Sequence, residues 1–370
     1  MKKIILAIWK FMKREVVLSI AILFTLITII AVPVDKEYFG YFDYNTLICL
    51  FCMLSVVAGL KSTNVFEFIS RKMINRFHTR RGVIYALVFG TFLFDMIVAN
   101  DMSLITFLPL TYIVLHSTNN DKYLAFTFIM QTIAANMGGM ITPYGNPQNL
   151  YLYSFYNINT IEFLKILLLQ SATVAILLYI CCSFIENEPL KLKNNSKLVL
   201  KKIRLIIYSI LFVIVILSIF RIIPYFLTLT VVIITILLVD KKRFKYVDYA
   251  LIATFCVFFI FSGNIARIVV IKEWISDIVV RNTMLAGIIS CQFISNVPTA
   301  IFLSKFTNNY RELLISVNIG SLGIIISSLA SLITLKEFLK HQPKNFWKYL
   351  RLFTCFNSIF LLVLLIITEV

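Results

Sequence analysis

Two short motifs, far apart in the chain, carry residue types that an apolar helix uses only where it has a task. The first starts Asn136-Met137-Gly138-Gly139 and runs through Thr142-Pro143 and Gly145-Asn146-Pro147 to Gln148-Asn149. The second starts Asn318-Ile319-Gly320-Ser321 and closes on Ser327-Ser328 and Ala330-Ser331. Both open Asn-x-Gly, and both place small or polar residues nine and ten positions on. Gly and Pro are costly in helix interiors. In hydrocarbon, a broken helix leaves backbone groups that only a polar cavity or other protein can satisfy. A half-helix that begins in such a cavity points N–H groups at it, which suits an anion. One that ends there points carbonyl oxygens, which suits Na⁺. Two corresponding breaks in two halves of a chain mark a transporter's binding site. The competing reading is that Asn136 and Asn318 only cap broken helices.

Carboxylates sharpen the pattern. Only Asp95 and Asp101 lie well inside apolar sequence. An acid at the bilayer centre costs about 2.5–3.5 kcal/mol on insertion scales and marks an ion or proton path. Asp101 could bind Na⁺, carry a proton or repel an anion; it could also do no more than cap a helix at a hairpin tip. Lys305 is the one cation near a tip, and an interfacial position competes with an anion-binding one. His78, His116 and His341 fall at loops, which argues against a proton relay or metal site. Cys49-x-x-Cys52 has metal or redox spacing, but no second pair or nearby His completes it. Tyr144 and Tyr151 could line a substrate path or pack.

The elements that would hold these residues are helices in a membrane. Apolar residues make up 60% of the 370 and charged ones 14%, more than a soluble core requires. Val16–Val34, Leu205–Phe220, Tyr225–Val239 and Phe346–Thr368 are of spanning character. The net charge of +17 does not point to nucleic acid. Most basic residues cluster at Lys2 to Arg14, Lys61 to Arg81, Lys191 to Arg204, Lys241 to Lys245 and Lys336 to Arg351. Threading the spans puts all five clusters on one side, as cytoplasmic loops require. The N-terminus then reads as an uncleaved cytoplasmic anchor in the plasma (inner) membrane.

Five segments follow. Residues 1–81 hold N-terminal scaffold helices and an interfacial helix near Thr63 to His78. Residues 82–185 hold a hairpin (arms Gly82–Ala99 and Met102–Leu115, tip Asn100-Asp101), a helix broken over Asn136–Asn149, and a span. Residues 186–203 are a cytoplasmic linker. Residues 204–280 hold further scaffold, with an outer interfacial helix over Ile265 to Val279. Residues 281–370 repeat the order hairpin (tip Ser295–Pro298), helix broken over Asn318–Gly323, and span. Threading makes the first copy enter from inside and the second from outside, an inverted repeat suited to alternating access. The copies differ in one connection: Asn100 to Asn136 is 36 residues, Asn296 to Asn318 only 22.

With Ser295-Asn296-Val297-Pro298-Thr299, these motifs resemble the ion transporter superfamily over about residues 40–370. Within it the chain is most similar to citrate-transporter-like permeases and divalent-anion/sodium symporters, and more distantly to arsenite permeases and sodium/proton antiporters. The resemblance implies an all-α integral membrane homodimer of elevator type, with re-entrant hairpins and broken helices enclosing one site. It implies substrate contacts from Asn100, Ser103, Thr142, Pro143, Asn146, Asn296, Thr299 and Ser327. It implies cation contacts from Asp95, Asn100, Asp101, Asn136, Gly138, Ser295, Asn296, Asn318 and Gly320. Where carboxylate symporters carry Ser-Asn-Thr at each tip, this chain has Ala99-Asn100-Asp101 and Ser295-Asn296-Val297, a departure that bears on substrate. The expected activity is secondary transport of a small anion, a di- or tricarboxylate or inorganic oxyanion, coupled to Na⁺. It needs no cofactor and no nucleic acid, and its environment is lipid. The alternative is a sodium/proton antiporter or arsenite-type efflux permease using Asp95 or Asp101. An intramembrane enzyme would need an acidic metal cluster or an activated nucleophile, and a primary pump an ATP-binding loop; the sequence shows neither.

Overall fold

The computed structural model describes residues 15–190 and 199–369. The basic stretch Lys2 to Arg14, on which the anchor expectation rests, and Lys191 to Lys197 of the linker lie outside the described residues. Among the described residues the regular structure is helical: α1 (Val16–Ala31), α2 (Tyr44–Lys61), α3 (Val65–Ile74), α4 (Arg80–Asp95), α5 (Asn100–Ser117), α6 (Leu124–Gly138), α7 (Pro147–Phe155), α8 (Thr160–Ser183), α9 (Lys202–Ile219), α10 (Tyr225–Asp240), α11 (Tyr249–Arg267), α12 (Val269–Arg281), α13 (Thr283–Ile294), α14 (Asn296–Leu303), α15 (Tyr310–Ile319), α16 (Leu329–His341) and α17 (Phe346–Glu369). Among the described residues, six helical segments are long and apolar enough to cross a membrane, seven if α12 and α13, bent by 115° at Asn282, count as one.

Sequence sets where these helices start and stop. α1 ends at Ala31 because Pro33 cannot continue the helix and disfavours α geometry at the residue before it. Asp43 caps α2 by accepting the Thr46 N–H at 3.1 Å, and Asp248 does the same for α11 at Leu251, each satisfying an orphan donor of the first turn. α11 runs on to Arg267, so the helix expected over Ile265 to Val279 instead begins at Val269.

α1 packs on α11, while α2 packs on α9 and α10. α4, α5 and α6 form a second group, closed by α16 against α5 and α6 and by α8 against α6. α6 is enclosed along nearly its whole length. Its Gln131 clamps the hairpin, accepting from Thr111 Oγ1 at 2.9 Å and donating to Thr91 Oγ1 at 3.1 Å. At the rim of the molecule, Leu23, Phe24, Leu26, Ile27 and Ile30 of α1 are exposed. A continuous apolar face of that kind belongs against lipid.

The two hairpins differ in reach. α4 and α5 have 16 and 18 residues, about 24 and 27 Å at 1.5 Å per residue. The second arm, begun at Asn100 instead of Met102, is thus close to the hydrocarbon thickness of about 30 Å. α13 and α14 have 12 and 8 residues, about 18 and 12 Å, too short to cross.

Candidate functional site

Both interrupted helices continue further than expected before they break. α6 carries Asn136 inside its last turn and stops at Gly138; the chain then crosses Gly139–Asn146 before α7. α15 carries Asn318 one residue from its end, and the chain crosses 320–328 before α16. Neither asparagine occupies a cap position. Each side chain instead reaches across to the other interruption.

Asn136 Nδ2 donates to Ser328 Oγ at 3.0 Å, and Ser328 is the N-cap of α16, its hydroxyl oxygen accepting the Ser331 N–H. Reciprocally, Asn318 Oδ1 accepts from Gln148 Nε2 at 3.3 Å, and Asn318 Nδ2 donates to Asn149 Oδ1 at 2.7 Å. Asn149 Nδ2 in turn binds the Met140 carbonyl at 3.1 Å, satisfying backbone freed by the first break. Gln292 of α13 does the same for the second, donating to the carbonyls of Gly320 and Leu322 at 2.9 and 3.0 Å. Gln148, Asn149, Ser328 and Gln292 were given no role from sequence. Gln148 and Asn149 close the first motif, and that adjacency was the available signal; Gln292 had none.

The first hairpin meets the first break through Asp95. The chain turns over Met96–Ala99, so Asn100 and Asp101 begin α5 instead of forming the tip. Asn and Asp favour helix starts, and a carboxylate there complements the helix dipole. Asp95 is fully buried, and its Oδ1 accepts from Ser103 Oγ at 2.7 Å. Its Oδ2 has no hydrogen-bond partner. The adjacent Gly139 N–H is committed to Ala135 O. A Cβ on Gly139 would stand 2.3 Å from Asp95 Oδ2 and 2.7 Å from Asn146 Oδ1, so both oxygens crowd that glycine. Asn146 Oδ1 and Asn136 Oδ1 are also buried without partners. The Asn146 amide is oriented by its Nδ2, which donates to Asn136 O at 3.2 Å. Two acceptor oxygens, on Asp95 and Asn146, therefore crowd Gly139 at the first break without a side-chain donor, and the unpartnered Asn136 oxygen lies one turn before it. Unpaired buried acceptors are costly, and a bound cation removes the cost. Gly138 is required for a different reason. A Cβ there would lie 2.3 Å from Phe92 O, so α4 and α6 approach backbone to backbone.

At the second hairpin the turn shrinks to Ser295, at φ 74° and ψ 161°. Only Gly adopts that region readily, and strain of this kind costs about 1–3 kcal/mol. Ser295 Oγ lies 3.4 Å from Ser327 O and 3.3 Å from Asn296 Oδ1. Several hydroxyls expected to face substrate are committed to backbone: Thr299 to Ser295 O, Ser327 to Ser321 O and Ile324 O, and Thr142 to Met96 O. Asn100 and Asn296 are buried at the starts of the second hairpin arms and Pro143 in the first break. Gly320 abuts Cys291, which stands five residues before Asn296, as Asp95 stands five before Asn100. The structure thus joins Ser103, Asp95, Asn146, Asn136, Ser328 and Ser295 through direct or neighbouring contacts.

Other candidates lie elsewhere. Asp101 is half-buried in the first turn of α5 with Oδ1 unpartnered. Lys305 Nζ sits over the Phe155 ring at 4.8 Å. Tyr151 packs on Phe259 and shares a hydrogen bond with Ser304 at 2.7 Å; Tyr144 packs on Phe220. His116 pairs with Asp121, and His341 stacks on Tyr112 and contacts Glu337. Cys49 and Cys52 are buried and unbridged.

A helical membrane chain with two cross-linked interruptions narrows the class, and the family model for citrate transporters matches residues 4–310. The chain belongs to the citrate transporter family. A curated relative of this citrate transporter family member, an uncharacterized transporter of Methanocaldococcus jannaschii, is 33% identical over 323 residues, 86% of this chain and 87% of its own length. The Escherichia coli inner membrane protein YbiR is 24% identical over 318 residues, 85% of this chain and 84% of its own. A Dictyostelium discoideum chain named as transporter arsB shares 24% identity over 162 residues, 42% of this chain and 28% of its own. With its apolar helices, this family member is an integral membrane transporter.

Proposed function

We propose that the protein is a secondary active transporter of a small anion, a di- or tricarboxylate or an inorganic oxyanion, driven by Na⁺. One observation supports the reading: the unpartnered, buried oxygens of Asp95 and Asn146 both face Gly139 at a helix break, one turn from Asn136, whose amide oxygen is also buried and unpartnered. Oxygen ligands without competing donors suit a hard monovalent cation. α7 begins beside them with Pro147 at its first position and no side-chain cap, so its N-terminus is available to an anion. A cation at Asp95 and an anion at the α7 start would stabilise each other, which is the physical basis of coupling. Asn100, Asn296 and Ser295 complete the enclosure from the hairpin turns.

In this account the two halves form an inverted repeat, the short second hairpin is re-entrant, and the basic clusters lie in the cytoplasm. Transport proceeds by an elevator movement in a homodimer, with α1, α2 and α9–α11 as scaffold. A second reading, cation/proton antiport or arsenite-type efflux, is favoured by Asp95 itself, since a buried carboxylate can exchange a proton for a cation.

Thermal unfolding of the purified protein separates the two. Symport predicts stabilisation by Na⁺ over K⁺ or choline, and further stabilisation by one anion class only when Na⁺ is present. Antiport predicts Na⁺ stabilisation that weakens on acidification and no anion effect.

A further inference from the structure

A cavity of 520 Å³ opens on the flank of the molecule, away from the helix breaks, where α8, α13, α15 and the last turn of α17 converge. Its volume is within the range of about 300–1,000 Å³ typical of small-molecule sites. Lys165, Arg281 and Arg311 stand around it. Arg281 is paired with Asp277 at 2.8 Å. Lys165 and Arg311 have no ion-pair partner among the described residues. One carboxylate, Glu312, shares the lining and accepts the Met284 N–H at 3.2 Å.

Gln170 forms the floor and is 3% exposed. Its Nε2 donates to Thr368 Oγ1 at 3.4 Å, while its Oε1 is buried with no donor. The lining also includes the apolar side chains Leu169 and Leu285, 55% and 45% exposed. Two free cations ask for an oxyanion. The orphan amide oxygen and the carboxylate ask for a hydrogen-bond donor on the same ligand, and the exposed leucines ask for hydrocarbon. A free oxyanion meets only the first demand.

We propose that this cavity holds the headgroup of a phospholipid that carries its own donors, of the ethanolamine or glycerol type. The phosphate lies against Lys165 and Arg311, the donor-bearing end against Gln170 Oε1 and Glu312, and the acyl chains along Leu169 and Leu285. Basic side chains hold phosphate groups by charge-assisted hydrogen bonds of this kind. The seat touches the start of the short α13–α14 hairpin and the start of α15, so an occupant braces the entry to the second helix break.

Native mass spectrometry of the full chain tests this, with phosphatidylethanolamine, phosphatidylglycerol, phosphatidylcholine or inorganic phosphate added. The expected result is retained adducts of the ethanolamine and glycerol lipids, weaker retention of phosphatidylcholine, which has no headgroup donor, and none of phosphate. Lys165→Ala with Arg311→Ala should weaken lipid retention at least about tenfold, a loss on the scale of one charge-assisted contact. Gln170→Leu should narrow the gap between phosphatidylethanolamine and phosphatidylcholine. Lys165 and Arg311 are exposed, so their removal should leave lipid-free unfolding unchanged. Equal retention of all three lipids by the wild type, or equal retention by wild type and the double variant, would overturn the proposal. Inorganic phosphate bound with the same Lys165 and Arg311 dependence would replace it with a free-oxyanion site.

Discussion

The Asn136 amide donates to Ser328 Oγ at 3.0 Å across 192 positions of sequence. The end of one interrupted helix is thereby fastened to the start of the second half of the other. Asn318 makes the reciprocal tie to Gln148 and Asn149, so neither break can move without the other. A transporter that binds anion and cation together needs that rigidity, because coupling depends on both ligands reading one geometry.

The two ties differ in what their loss exposes. Asn318→Ala strands Asn149 Oδ1 and Gln148 Nε2, both buried, and leaving such groups unpaired costs about 1–3 kcal/mol each. Asn136→Ala frees only Ser328, whose hydroxyl also bonds Ser331. Both variants should lose transport, but Asn318→Ala should unfold at the lower temperature. Equal unfolding temperatures for the two variants would mean that stranding Asn149 and Gln148 adds no cost.

Gly139→Ala places a methyl 2.3 Å from Asp95 Oδ2, inside the space assigned to the cation. Na⁺ stabilisation of the variant should vanish while the fold persists. Asp95→Asn should keep the space, lose the charge, and raise the half-saturating Na⁺ concentration at least about tenfold. A Gly139→Ala protein that still responds to Na⁺ at wild-type concentrations would move the site elsewhere.

Ser295 offers a test of stored strain. Glycine relieves its backbone, whereas alanine keeps the strain and loses the hydroxyl. Ser295→Gly should therefore be more stable than Ser295→Ala in thermal unfolding, with transport reduced in both through loss of the oxygen near Ser327. The opposite order would show that the conformation at φ 74° carries no penalty.

Outside the spans, Arg267 holds Asp35 through a hydrogen bond at 2.7 Å, and this lowers the Asp35 pKa below its ordinary 3.8. A depressed acid contributes stability above its unfolded pKa and loses it as pH falls through the folded one. The unfolding-temperature gap between wild type and Asp35→Asn should thus be constant at neutral pH and close as pH drops below 3.8. The gap should be small, because the pair is partly solvated.

Helical class, membrane character and the two breaks were legible in sequence because Gly, Pro and Asn have few other uses in apolar helices. The hairpin tips were displaced by several residues at Asn100 and by less at Ser295. Asn and Asp serve turns and helix starts equally well, so composition does not choose between them. Asp95 was visible as a buried acid, yet its partner was not. Ser103 stands eight positions on, and only the turn at Met96–Ala99 brings the two together. Hydroxyls such as Thr299 and Ser327 read as ligands in sequence, whereas in the structure they satisfy local backbone. The flank cavity left no trace in the sequence, since Lys165, Arg281 and Arg311 come from three separate helices.

The most direct test of Na⁺-coupled anion transport is uptake into proteoliposomes of a panel of labelled carboxylates and oxyanions, under a Na⁺, K⁺ or pH gradient. The account predicts uptake of one anion class that requires inward Na⁺ and is abolished by Asn136→Ala with Asn318→Ala. Na⁺ movement driven by a pH gradient with no anion present would contradict it and make Asp95 the exchanging group of an antiporter.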